Sequence, residues 1–353
     1  MEMAEASNMP HSIRSANLDV DRQLLADLLC NNLSPNAVGQ RFDWLYLRNP
    51  HGSARAWIAI DENTGKGVGA AAAFPRRLSI AGSSRAGYVL GDFCIDRQYR
   101  SLGLALQLQR TCLEQVGSEG PASSYDFPSD RMMAIYRRMQ IGPIGHVVRW
   151  SKPLRVDRNM GELVKSSGLT KILATPVNTL LEWKDTRSAS ASEWTIVEHQ
   201  GDCDEGFTRL ARAVGSRYGA CIERSAEYLN WRYLRHPLVH HEILTARCGE
   251  ELKGYVVFTR TEEDARIVDL FGFSDTAMWT ALVTRVVALL RAGMVMNVSF
   301  PALATNPWAG LLKKWGFYPR ESSPVVVYVS GKMAAPAEYA ESSWFLVDGD
   351  RES

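Results

Sequence analysis

A seven-residue pattern with five fixed positions recurs in this chain, and the recurrence limits what it can fold into. Trp44-Leu45-Tyr46-Leu47-Arg48-Asn49-Pro50 and Trp231-Arg232-Tyr233-Leu234-Arg235-His236-Pro237 share the pattern Trp-x-Tyr-Leu-Arg-x-Pro. Each copy follows a strand pattern and a helical pattern: 12–16 with 18–31 in the first case, 195–199 with 202–214 in the second. Each precedes a pair of strand patterns, 55–61 with 66–74 and 241–248 with 253–260. Self-similarity of this kind predicts two units of like architecture. The expected boundaries are a disordered 1–11, a first domain 12–155, a linker 156–193 whose tip is Ser188–Ser192, a second domain 194–330 and a tail 331–353. Apolar alternation and helical spacing predict an α/β (α+β) fold with a mixed sheet in each unit. In the first unit Val147–Pro153 is expected to close the sheet. In the second, Trp308–Trp315 is expected to be a helix and Val325–Val329 the closing strand.

The chemistry concentrates after an apolar strand, Tyr88–Ile95. There Asp96-Arg97-Gln98-Tyr99-Arg100-Ser101-Leu102-Gly103-Leu104-Ala105 leads into a helix reaching about Val116. Gly103 and Ala105 leave the first helical turn bare, so its unbonded N–H groups and the positive end of the helix dipole form an anion site. Arg97 and Arg100 add charge beside it, and a pyrophosphate is the natural guest. Small residues in a helix's first turn also serve to pack against a neighbour, which is the structural alternative for the hexapeptide alone.

This stretch resembles the acyl-CoA motif of the GNAT acetyltransferase superfamily. There a strand ending in an apolar residue leads, five positions on, into Gln/Arg-x-x-Gly-x-Gly/Ala; here these are Ile95, then Arg100, Gly103 and Ala105. The resemblance implies two tandem GNAT-like domains, with the pantetheine arm of acetyl-CoA, or another acyl-CoA, along Phe93, Cys94 and Ile95. It implies that the diphosphate sits on Arg97, Arg100, Ser101, Leu102, Gly103, Leu104 and Ala105. The second half places Ser274-Asp275-Thr276-Ala277-Met278-Trp279 there, without a basic anchor or glycine, so it is expected not to bind CoA.

The family often carries Tyr-x-x-x-Gly-Phe in the following helix, with the tyrosine beside the thioester sulfur. The first half has Tyr136 but Gln140 and Ile141; the second has Gly316 and Phe317 but Leu312 for the tyrosine. Tyr136 is thus the expected partner of the departing sulfur, or else a core residue. A phenol ionising near pH 10 is a poor acid toward a thiolate, uphill by roughly 2 kcal/mol, so hydrogen bonding to sulfur is its expected role. A backbone N–H near Cys94 or Ile95 is the implied oxyanion donor. Asp92 is the expected base or amine-orienting group, its alternative being a structural acceptor, since Asp269 recurs in the second half. Relatives often carry a glutamate one residue earlier, where this chain has Gly91. Without an evident base, a low-pKa amine of an amino sugar or an α-amine is the expected acceptor. Trp44, Tyr46 and Arg48 are expected to pack, and His51 to face substrate. His236, His240 and His241 lack a carboxylate or cysteine to complete a site, so no metal is expected. Cys94 lacks the His-Asp company of a nucleophile.

A net charge of +1 gives no electrostatic case for nucleic acid. No apolar run reaches the length of a membrane span. Six scattered cysteines without Cys-x-x-Cys suit reduced thiols in a cytoplasm. The chain is therefore expected to be a cytoplasmic N-acetyltransferase of the acyltransferase class EC 2.3.1, acting on a small-molecule amine. A non-catalytic acyl-CoA sensor and a FemAB-like aminoacyl transferase are the alternatives.

Overall fold

The computed structural model describes residues 11–34, 39–118, 123–155, 194–329 and 344–352. The expected disordered terminus, linker and linker tip lie outside the described residues, apart from their edges.

The first half begins with β1 (His11–Ser15), helix α1 (Arg22–Asn32), the short α2 (Gln40–Phe42) and a π-helical turn, Asp43–Leu47. Strands β2 (Arg55–Asp61), β3 (Gly67–Ile80) and β4 (Ser83–Ile95) form an antiparallel meander. Helix α3 (Leu102–Val116), β5 (Ser123–Asp126) and α4 (Asp130–Arg138) follow, then β6 (Gly145–Pro153). The second half repeats much of the succession. It runs β7 (Thr195–Glu198), α5 (Glu205–Gly215), β8 (Ala220–Ile222), α6 (Ala226–Leu229), a π-helical turn (Asn230–Leu234) and β9 (Glu242–Cys248). It continues through β10 (Glu251–Arg260), β11 (Asp264–Gly272), α7 (Thr276–Ala292), β12 (Asn297–Leu303), β13 (Tyr318–Val329) and β14 (Trp344–Phe345).

The sequence pattern predicts two strands, 66–74 and 77–80, where β3 is one, running straight through Pro75. Proline lacks the N–H a central strand must donate. Here β2 stops pairing at Ala73 and β8 starts at Leu78, so Pro75 faces a gap on that side. Small residues let β3 lie between two packed layers. Ala71 and Ala73 join the core beneath α3 and α4, and Ala70, Ala72 and Phe74 join the core on the opposite face. That second core runs without a break into the other half through Trp231, Tyr233 and Phe345.

The expectation that 147–153 closes the first unit is corrected. β6 pairs with β12 and with residues Tyr318–Val325 of β13, while Val326–Val329 of β13 pair with β5. The halves thus exchange their closing strands and share one 14-stranded sheet. The recurring motif marks the other junction. Trp44 and Trp231 stack at 4.6 Å, and each indole N–H donates to the other's carbonyl, at 2.9 and 3.1 Å. Trp308–Trp315 is not a helix but a 3-10 turn, Ala309–Leu311, with turns around it. Trp308 is drawn inward, fully buried, with its indole N–H on the Leu270 carbonyl at 3.0 Å.

The tail carries more structure than its sequence pattern suggests. Trp344 to Asp350 is buried between the halves. β14 pairs with β8, and Asn306 holds the Leu346 carbonyl. Arg224, fully buried, bridges Asp350 and Asp269 at 3.0 Å each.

Candidate active site

A cleft of about 1020 Å³ opens where β4 and β5 part company. The two strands are parallel partners from Gly87–Ser123 to Val89–Tyr125 and share no further pairs. A register shift opposite Ala71 places a bulge at Asp92–Phe93, and Asp92 takes a left-handed φ of +47°. Bulges re-aim a strand, and a non-glycine residue there needs support from its surroundings. That support is visible. Arg41 grips both carboxylate oxygens of Asp92 at 2.9 Å, and the Tyr46 hydroxyl donates to it at 2.8 Å. The arrangement recurs at Asp269, which accepts from Arg224 and from Tyr233 at 3.1 Å. Asp92 lines the cleft, but its carboxylate is already engaged. Of the two readings open from the sequence, base or amine-orienting group and structural acceptor, these contacts favour the second, a group fixing the bulge.

Of the expected cofactor residues, Phe93, Cys94, Ile95, Arg100, Ser101, Leu102 and Ala105 line the cleft; Arg97, Gly103 and Leu104 do not. Arg100 is tied to the end of β4 through Nε on the Ile95 carbonyl, 3.1 Å. Ser101 caps α3, its Oγ accepting from the Leu104 N–H, and the first intrahelical bond runs from Ala105 to Ser101. The amides of Leu102 and Gly103 precede that bond. Ser101 and Leu102 are exposed, so the head of the helix is open to an anion. The residues present fit a CoA diphosphate. At the matching position of the second half, Met278 and Trp279 are buried, and Trp308 fills the space beside Leu270.

Tyr136 does not face the cleft. It is fully buried, its hydroxyl donating to Asp126 at 2.7 Å and accepting from Gln109 at 3.1 Å. Burial raises its pKa well above the ordinary phenol value, and Asp126 adds to the rise. Tyr136 is not among the residues lining the cleft; its hydroxyl touches Asp126 and Gln109, which fits the core-residue alternative. Asp126 stands at the end of β5, half-buried in the cleft wall. Burial pushes its carboxyl up to about 7, against the Tyr136 hydrogen bond that lowers it, and Glu352 pushes it further up.

Glu352 is the second carboxyl of the cleft that the sequence pattern does not single out. Its pKa is also raised, first by burial and then by neighbouring Asp92. A side chain at Gly91 would put its Cβ 2.7 Å from Glu352 Cγ, so the missing side chain makes room for this glutamate. Gly91 is the sequence signal, but no pattern links it to a residue 261 positions later. Cys94 is buried, its thiol pushed up to about 12, which suits packing and not nucleophilic attack. His51 turns away from the cleft: its Nδ1 accepts from the Arg77 N–H at 3.1 Å and its ring stacks on Tyr228. His236 does line the cleft, and its Nδ1 accepts from the Leu238 and Val239 amides. Among the described residues no three His, Cys, Asp or Glu side chains converge as a metal site.

These features define an acetyltransferase-type α/β fold with one open cleft at a parted strand pair. Residues 32–144 match the family model of the acetyltransferase (GNAT) domain, and the chain carries a GNAT domain over this stretch. Solved structures agree on the fold. A GCN5-related N-acetyltransferase from Anabaena variabilis is 15% identical, with a TM-score of 0.65 over 90% of this chain and 72% of that one. A probable N-acyltransferase from Enterococcus faecalis is 10% identical, TM-score 0.64, over 91% and 73%. Saccharomyces cerevisiae N-myristoyltransferase with bound myristoyl-CoA is 13% identical, TM-score 0.58, over 94% and 86%. No curated protein sequence matches the chain.

Proposed function

We propose that this protein is a tandem-GNAT N-acyltransferase, most simply an N-acetyltransferase, that moves an acyl group from CoA to a primary amine at a single site in its first half. One observation carries the reading: the open head of α3 and the parted strands β4 and β5 line the same cleft. Acyl-CoA supplies a thioester carbonyl that an amine can attack. Arg100 and the amides of Leu102 and Gly103 hold its diphosphate, and Phe93–Ile95 flank its arm. Leu104 packs in the core beneath the helix, and Arg97 is exposed outside the cleft lining.

The amine must lose protons on the way to an amide. Asp126 and Glu352 supply neighbouring carboxyls whose pKa values are both raised. Two such groups seldom ionise together, so one stays protonated while the other accepts. A carboxylate near 7 takes a proton from an ammonium far more readily than an ordinary one does. Tyr136 positions Asp126 from behind, and Asp92 holds the bulge that aims the β4 main chain at the carbonyl. The second half, its equivalent space filled by Trp308, supplies a wall.

The test is thermal shift with CoA and desulfo-CoA, with Gly103→Trp as control, followed by thiol release over an amine panel. Stabilisation by CoA that Gly103→Trp removes, with release that Asp126→Asn lowers at least 100-fold, is the expected result. CoA binding without release on any amine would support a sensor instead.

A further inference from the structure

Eight large apolar side chains are exposed among the described residues, and four of them, Leu33, Leu102, Leu238 and Val239, stand on the one cleft. Leu102 belongs to the helix head. The other three supply an apolar wall to the same cleft from other elements, the end of α1 and the loop that leads from the second half's π-helical turn to β9. Leu33 is 47% exposed and Leu238 51%. Scattered single apolar residues are ordinary, but a cluster on a concave surface marks what the surface is built to bury.

Three polar side chains beside this wall already have partners, the Asn32 amide among them through its N–H on the Leu28 carbonyl. Arg41 is spent on Asp92, and His236 takes two amides of its own loop on Nδ1. Burial holds the His236 ring neutral, with a pKa near 3. Asp126 and Glu352, the cleft carboxyls that no arginine grips as Arg41 grips Asp92, stand at the strand fork and suit a single ammonium. A polycationic or polyhydroxylated acceptor would need a wall of acceptors and donors where this protein places leucine and valine.

We infer that the acceptor is an amphipathic amine, with one amino group at the Asp126–Glu352 fork and an alkyl or aryl body against Leu33, Leu238 and Val239. This narrows the acceptor class away from amino sugars, and it rests on the acyl-transfer reading of the same cleft.

Isothermal titration tests it without turnover. The full chain, saturated with desulfo-CoA, is titrated with n-alkylamines from butylamine to decylamine, with glucosamine as the polar control. A parallel series uses acyl-CoA thioesters from two to twelve carbons. Alkylamine affinity is expected to tighten roughly two- to fourfold per added methylene. The double substitution Leu238→Asp, Val239→Asp should flatten that trend, while Val20→Asp, exposed elsewhere, should not. Glucosamine should bind no more tightly than butylamine. Affinity independent of chain length, or a trend untouched by the double substitution, overturns the inference. So does a chain-length trend confined to the thioesters, which would give the wall to the donor. If desulfo-CoA produces no heat while the alkylamine trend persists, the acyl-transfer reading falls and the apolar site stands.

Discussion

Asp126 and Asp92 sit at opposite ends of one problem, how to keep a carboxyl out of water. Asp92 is compensated by a two-oxygen grip from Arg41, whereas burial outweighs the help Asp126 receives from the Tyr136 hydroxyl, the Phe127 main chain and the charge of Arg351. Breaking a buried pair leaves an uncompensated charge, so Arg41→Met should lower unfolding free energy by about 3–5 kcal/mol in urea titrations. Asp126 should announce itself through pH. If it accepts the proton, thiol release should climb with pH and level off above about 7, and Asp126→Asn should lose that limb. Tyr136→Phe removes a hydrogen bond that lowers the Asp126 pKa, so the limb should move to higher pH. Stability follows the opposite course. The folded carboxyl holds its proton more tightly than the unfolded one, so its contribution is complete below the ordinary aspartate value and is lost as pH rises through 7.

At the scale of elements, what was legible had a local cause. Strand β4, the turn into α3 and the open head of that helix follow from short-range pattern, and the Trp-x-Tyr-Leu-Arg-x-Pro repeat exposed a matching π-helical turn in each half. What stayed hidden depends on distant partners. Nothing local tells Val147–Pro153 that its neighbour is β12, or Tyr136 that its hydroxyl will meet Asp126 behind the cleft wall. Trp308 reads as one face of a helix until the Leu270 carbonyl claims its indole. Removing that side chain should leave a large cavity, and Trp308→Ala is expected to cost about 3–5 kcal/mol by the same urea titration. The Gly91 strand position gives a finer test. Gly91→Ala should push Glu352 aside and cut thiol release about tenfold or more, leaving CoA binding by calorimetry within twofold. An equal loss of CoA affinity would mean the substitution had disturbed β4 itself.

At the scale of the whole molecule, the exchanged strands make the halves dependent on one another. Residues 1–155 alone carry the GNAT match and most of the cleft, but they lack β13 beside β5 and the 344–352 segment between the halves. An unpartnered strand edge invites association. The fragment 1–155 is expected to elute as aggregates in size-exclusion chromatography, and co-expression with 194–353 to recover a soluble 1:1 complex. A monodisperse, cooperatively melting 1–155 would show that β6 can return to its own half.

Strand exchange also sets a schedule on the ribosome. The stretch of β13 that pairs with β5 begins at Val326, 200 residues after β5 ends at Asp126. At about 5–20 residues per second the nascent first half waits roughly 10–40 s for its closing strand, and longer for Glu352. During that interval it resembles a swapped dimer missing its mate, the state in which a holdase has most to offer and a neighbouring polysome is most hazardous.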